Sequence, residues 1–194
     1  MIRLVLFITH AEVVIDPAVP VPDWPLSPEG RRRHKAFNRS DAIARLSAIF
    51  SSQERKATDA AAILSAATGL PVTQVQDLHE NDRSATGYLP KAEFEATADA
   101  FFAHPEHSIR GWERACDAQA RIVACVRGIV AADRSAGDIA IVAHGGFGAL
   151  LLAYLSGADI SRRFDQPGQG GGNWFAFDPD AWVVTQGWRD IAAG

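Results

Sequence analysis

Two histidines close short apolar runs that read as buried strands. In MIRLVLFITH, residues 2–8 are rich in β-branched side chains and stop at Thr9-His10. In DIAIVAHGG, residues 139–143 form a second such run, followed by His144, Gly145 and Gly146. Open α/β sheets place their chemistry at the carboxyl edge of the strands. If both strands are central and parallel, the two imidazoles lie side by side at that edge. Imidazole titrates near neutrality and serves as nucleophile, proton carrier or metal ligand, so this pair is the first candidate for a reactive centre.

Other residues that could do chemistry are spread between the two. Ser51 and Glu54 have capping-box spacing and predict a helix start, ended by Gly69 and Pro71. Lys56 then falls in the first turn, where free N–H groups attract anions and a cation calls for a partner. The polar loop DLHENDR carries Asp77, His79, Glu80, Asp82 and Arg83, and by themselves these residues do not say which acid matters. His104 and His107 flank Pro105-Glu106; the proline breaks the helix that would orient both rings, so a metal site is not expected there. Cys116 and Cys125 lie nine residues apart on one predicted helix, too far apart for a disulfide, and read as reduced thiols. No metal and no cofactor is expected.

The elements that must position these groups follow in order. After His10, five prolines between Pro17 and Pro28 make an extended loop that Trp24 could anchor. Ser27-Pro28 predicts a helix start, and the helix carries Arg31, Arg32, Arg33, His34 and Lys35, read as a solvated basic face. Strands are expected at 46–50 and 72–75, helices at 91–102, 112–132 and 149–155, and two closing strands near 173–177 and 182–188. Phe94, Ala98, Phe101 and Phe102 fall at helical spacing and read as core. The glycine-rich stretch 156–174 lacks the strand-before, helix-after setting of a nucleotide loop and reads as a flap over a site.

Composition narrows the class. The 194 residues, with 47% hydrophobic and 22% charged, fit one soluble domain with a sizeable core, 1–194. A net charge of −4 argues against a nucleic-acid or membrane-surface partner. No apolar run is long enough to span a bilayer, no secretory signal is visible, and the thiols fit a cytoplasmic location. Oligomeric state is not readable.

With these residues in view, the chain resembles the histidine phosphatase superfamily, the phosphoglycerate mutase-like proteins. FITHAE, LSPEG, SSQERKATDAAAIL, DLHEN and IVAHGG occur in the family's order and spacing, over nearly the whole chain. The resemblance implies a three-layer α/β/α fold with a mixed, mostly parallel central sheet, and a loop and helix insertion over the site at about 81–111. It implies that His10 attacks phosphorus to form a phosphohistidine, that His144 bonds the transferring oxygens, and that Glu80 protonates the leaving group. Lys56 falls where the family usually has a second arginine. The implied activity is metal-independent hydrolysis of a small phosphomonoester; a mutase would need more cations.

The sequence departs from the family pattern in three places. Thr9-His10-Ala11 stands for the usual Arg-His-Gly, and Asp16 for a phosphate-binding asparagine. Lys56 keeps a charge but lacks the two-pronged guanidinium contact. Thr9 and Lys56 are the expected phosphate contacts, with Arg83 or Arg33 as candidates for the vacant cationic place. The loss of charge also admits a second reading, a catalytically weakened member that binds a phosphorylated ligand or a partner. The loops 13–27, 81–111 and 160–172 are expected to set specificity.

Overall fold

The structure is a computed structural model that describes residues 2–168 and 170–193. Its sheet has six strands: β1 (Val5–Thr9), β2 (Leu46–Ser51), β3 (Val72–Gln74), β4 (Asp138–Ala143), β5 (Asn173–Asp178) and β6 (Val183–Asp190), in the order β3-β2-β4-β1-β5-β6. β3, β2, β4 and β1 run parallel, and β5 and β6 add an antiparallel edge. β1 and β4 are fully buried along their length, which is why both read as continuous apolar runs.

Five helices cover the two faces. α1 (Pro28–Phe37) and α2 (Arg55–Thr68) pack on the face formed by Leu6, Ile8, Ile49, Ala140 and Val142. α3 (Lys91–Ala103), α4 (Ala115–Ala132) and α5 (Gly145–Leu155) pack on the face formed by Val5, Phe7, Ile139 and Ile141. Alternate residues of β1 and β4 therefore feed opposite cores, as a strand buried on both sides requires. This is the three-layer, mixed, mostly parallel architecture expected from the sequence.

Local differences have physical causes. The Ser51–Glu54 capping box does not form. Ser51 ends β2, Glu54 is the cap residue of α2, and the helix begins at Arg55. Ser52 and Glu54 are instead turned toward His144. At α1 the sequence reading holds, since the Ser27 hydroxyl accepts from the Gly30 N–H. α4 begins at Ala115 rather than at Trp112, because Arg110 and Gly111 take positive φ and turn the chain first. α5 begins at Gly145, directly after His144. Trp24 does anchor the proline-rich loop: it is buried and its indole N–H donates to the carbonyls of Asp16 and Val19. Both cysteines are free thiols.

Candidate active site

The register of β1 on β4 sets Thr9 opposite Ala143, so the next residue of each strand is a histidine. The two rings meet edge to face with centroids 5.3 Å apart. They stand where β1 has strands leaving toward both edges of the sheet, the usual place for a crevice in an open α/β fold.

His10 is held on three sides. Its N–H donates to the Ala143 carbonyl at 3.0 Å, and its own carbonyl accepts from the Gly172 N–H at 2.8 Å. Its Nδ1 lies 2.9 Å from the Ala11 carbonyl. A carbonyl only accepts, so the ring proton sits on Nδ1 and Nε2 keeps its lone pair. Burial, with the charge of Lys56, lowers the imidazole to about 4, so the ring is neutral at pH 7.

His144 is fully buried. Its Nε2 shares a 2.9 Å hydrogen bond with Ser52 Oγ and lies 3.5 Å from Glu54 Oε1. Its Nδ1 is buried without a hydrogen-bond partner. Burial pushes this imidazole well below its usual range.

Glu80 reaches the first turn of α5. Its Oε1 accepts from the N–H groups of Phe147 at 2.9 Å and Asn81 at 3.1 Å, and its Oε2 from Gly146 at 3.2 Å. Burial raises its carboxyl above the ordinary range despite those donors and the nearby Arg83. Arg121 fixes the loop that carries it, donating to the carbonyls of Asp77, His79 and Glu80 and pairing with Glu113.

The cations are arranged differently from the expectation. Lys56 lies in the first turn of α2, but its ammonium is 2.5 Å from Glu54 Oε2 and 2.9 Å from the Val21 carbonyl. Burial opposes ionisation of Glu54, but attraction to the His144 ring when that is protonated, the Lys56 charge, and the bonds from Lys56 and the Glu80 N–H outweigh it and hold the carboxyl at about 2. With His144 neutral at pH 7, Lys56 is the charge that balances Glu54. Removing one partner of a buried ion pair strands the other, at a cost of about 3–5 kcal/mol. Lys56→Met is therefore expected to lose stability of about that size in urea unfolding, and adding Glu54→Gln to restore most of it. A Lys56→Met protein as stable as the wild type would show that the pair contributes nothing.

Thr9 is fully buried and does not face the cavity; its hydroxyl donates to Gln166 Oε1 at 2.7 Å and accepts from the Asn173 N–H at 2.9 Å. Arg33 does not fill the vacant place either. It donates to the carbonyls of Gly171 and Gly172, each at 2.9 Å, and pairs with Asp190 at 3.0 Å. The stretch read as a flap is thereby pinned (Gln169 lies outside the described residues). Arg83 does stand at the site: its guanidinium packs over Phe94 and Trp112, and its charge bears on His10, Glu80 and His144. Asp16 is exposed and accepts from the Ala18 N–H in its own turn. The rings of His104 and His107 are 6.1 Å apart, and no group of three or more potential metal ligands occurs among the described residues.

One histidine escaped the sequence reading. His34, placed on a solvated helix face, is buried, and its Nε2 accepts the Ala11 N–H at 3.1 Å. Burial lowers it to about 3. The unfolded chain binds protons on these imidazoles near the ordinary value of 6.5, whereas the folded chain resists them. Stability from His10 and His34 is therefore complete above 6.5 and is lost as pH falls toward 4 and then 3. His34→Gln is expected to flatten the fall in Tm between pH 6.5 and 4, followed by calorimetry; equal slopes in both proteins would remove His34 as a source.

Two cavities open on the site. One, about 490 Å³, is lined by His10, Glu80, Arg83, Gln166 and the aromatic wall of Phe94 and Trp112. The other, about 520 Å³, lies under Pro20, Val21 and Pro22 and is bounded by Glu54 and Glu80. Glu80, Asn81 and Arg83 border both.

The family model of the histidine phosphatase superfamily, branch 1, matches residues 6–189. The chain belongs to that superfamily. Among curated proteins, none matches this chain. Among solved structures, it is similar to the mycobacterial glucosyl-3-phosphoglycerate phosphatase Rv2419c, with 25% identity over 96% of each chain and a TM-score of 0.75. The phosphate complex of that mycobacterial phosphatase aligns over 99% of this chain and 100% of that one, at 25% identity and a TM-score of 0.75. The fold also matches YhfR of Bacillus stearothermophilus, at 22% identity over 95% of each chain and a TM-score of 0.78. No helix among the described residues is long and apolar enough to cross a membrane.

Proposed function

We propose that this histidine phosphatase hydrolyses a small phosphomonoester through a phosphohistidine on His10. The observation that carries the reading is the neutral His10 ring with Nδ1 held by the Ala11 carbonyl and Nε2 bare, beside a carboxyl raised by burial. The Nε2 lone pair forms the bond to phosphorus as the ester P–O bond breaks, and the departing oxygen takes the Glu80 proton. Water then attacks phosphorus, Glu80 takes its proton, and the N–P bond returns its electrons to Nε2 as phosphate leaves. His144 donates from its unpartnered Nδ1 to a phosphoryl oxygen, with the Ser52 hydroxyl donating to Nε2 and so selecting that tautomer.

Phosphoryl transfer depends on positioning and on charge around the equatorial oxygens. Here Arg83 stands at the site without an ion pair among the described residues, and Lys56 acts through its field, since Glu54 already balances it. The aromatic wall formed by Phe94 and Trp112 suits a substrate with a non-polar part. That a 25% identical relative is a glucosyl-3-phosphoglycerate phosphatase supports the class of reaction.

The reading is tested by mixing the protein, with chelator present, with radiolabelled phosphomonoesters and quenching. A protein-bound label stable to base and labile to acid is expected, with catalytic phosphate release. The cancelled Lys56 charge favours one alternative, a member that binds a phosphorylated ligand without turnover; vanadate binding with no release from any ester would select it.

A further inference from the structure

Thr9 stands where the resemblance expects the arginine that holds the phosphoryl group, and its hydroxyl is spent inside the protein. On the phosphatase reading above, some other group must supply that directed donor. We propose that Gln166 does so: its side-chain amide binds an equatorial phosphoryl oxygen, and Thr9 is the positioning residue that aims it.

The orientation of the amide follows from its neighbours. Asn173 Nδ2 donates to the Pro167 carbonyl at 3.1 Å and to the Gly171 carbonyl at 3.4 Å, which identifies it as nitrogen. The same Nδ2 lies 3.2 Å from Gln166, so the Gln166 atom facing it is the oxygen. Thr9 Oγ1 lies 2.7 Å from that oxygen and 3.1 Å from the Asn173 carbonyl, and its single proton goes to the nearer acceptor. With Oε1 clamped by two donors, Nε2 must project the opposite way. It donates to no group among the described residues, and Gln166 lines the cavity that contains His10 and Glu80.

The position is set by a close approach to α5. A Cβ on Gly145 would lie 2.1 Å from Gln166 Nε2, so the amide rests against the first residue of the helix, directly after His144. A glycine there lets the amide lie this close to the start of α5, on the lining of the cavity that holds His10. An amide gives direction without charge. The site thus replaces one guanidinium by a neutral donor on the glycine-rich loop and leaves the positive charge to Arg83 and Lys56.

The probes are p-nitrophenyl phosphate for turnover and vanadate for affinity, with Tm measured on every variant. Gln166→Ala is expected to weaken vanadate inhibition and kcat/KM by about ten- to a hundredfold, the usual range for a hydrogen bond to a charged group. Gln166→Glu keeps the length and the Thr9 bond, should fold like the wild type, and is expected to lose at least as much because a carboxylate repels the anion. Thr9→Val, which keeps the shape but removes the hydroxyl, is expected to lose about tenfold, and little more when combined with Gln166→Ala. If Gln166→Ala and Gln166→Glu keep vanadate inhibition and kcat/KM within twofold of an active wild type, whatever their Tm, the inference is overturned. Wild-type protein that neither hydrolyses the ester nor binds vanadate overturns the phosphatase reading, and this inference with it.

Discussion

His10→Ala is expected to slow phosphate release by at least about 10⁴-fold, because removal of a nucleophile leaves only the contribution of binding and polar stabilisation. The side chain makes one hydrogen bond, from Nδ1 to the neighbouring carbonyl, so the fold should survive its loss. The backbone contacts to Ala143 and Gly172 do not depend on the ring. Vanadate should also bind the variant more weakly, since its trigonal-bipyramidal form needs the Nε2 ligand. A purified His10→Ala protein with wild-type Tm and more than a tenth of the wild-type rate would place the nucleophile elsewhere.

Glu80→Gln is expected to lower kcat/KM for alkyl phosphates by about 10²–10⁴-fold, the range for loss of a general acid. The effect should shrink sharply for p-nitrophenyl phosphate, whose leaving group departs without a proton. The pH profile supplies a second check. Glu80 must be protonated to act, so activity falls as pH rises through its raised value, while protonation of His10 removes activity as pH falls toward about 4. Substitution by glutamine should abolish the basic limb and leave the acidic limb in place. Ionisation of the substrate's own phosphate affects both proteins alike. An unchanged basic limb, or equal losses for good and poor leaving groups, would exclude Glu80 as the acid.

The parts of the molecule that could be read from the chain are those written in local pattern. Residues 5–9 and 138–143 are buried on both faces, so their apolar runs marked two central strands, and the following residue of each was visibly a histidine. Ser27 capped α1 as expected because that cap needs nothing beyond its own turn. The errors arise where a distant residue decides. The Ser51–Glu54 box gave way because Ser52 and Glu54 have better use at His144, a contact across 92 positions for Ser52. His34 was hidden in a basic run because its burial depends on the Ala11 amide, brought close only by folding. Lys56 was rightly given a partner, but the partner is Glu54, two residues before it. Gln166 carried no signal, since its role depends on Thr9, 157 positions away.

The clasp of Arg33 on the glycine loop bears on how a ligand enters and leaves. That loop gives its Gly172 amide to His10, takes the Ile191 amide on the Gly172 carbonyl, and is tied to Asp190 through Arg33. The hydrogen-bonded Gly172 and Ile191 amides are expected to exchange slowly with solvent deuterium. The wall behind the nucleophile is thus held by bonds, while the second cavity is bordered by the 20–23 and 82–87 segments. Trp24 and Tyr88, each next in the chain to one of these segments, pack on one another with ring centroids 5.8 Å apart and tie the two segments together.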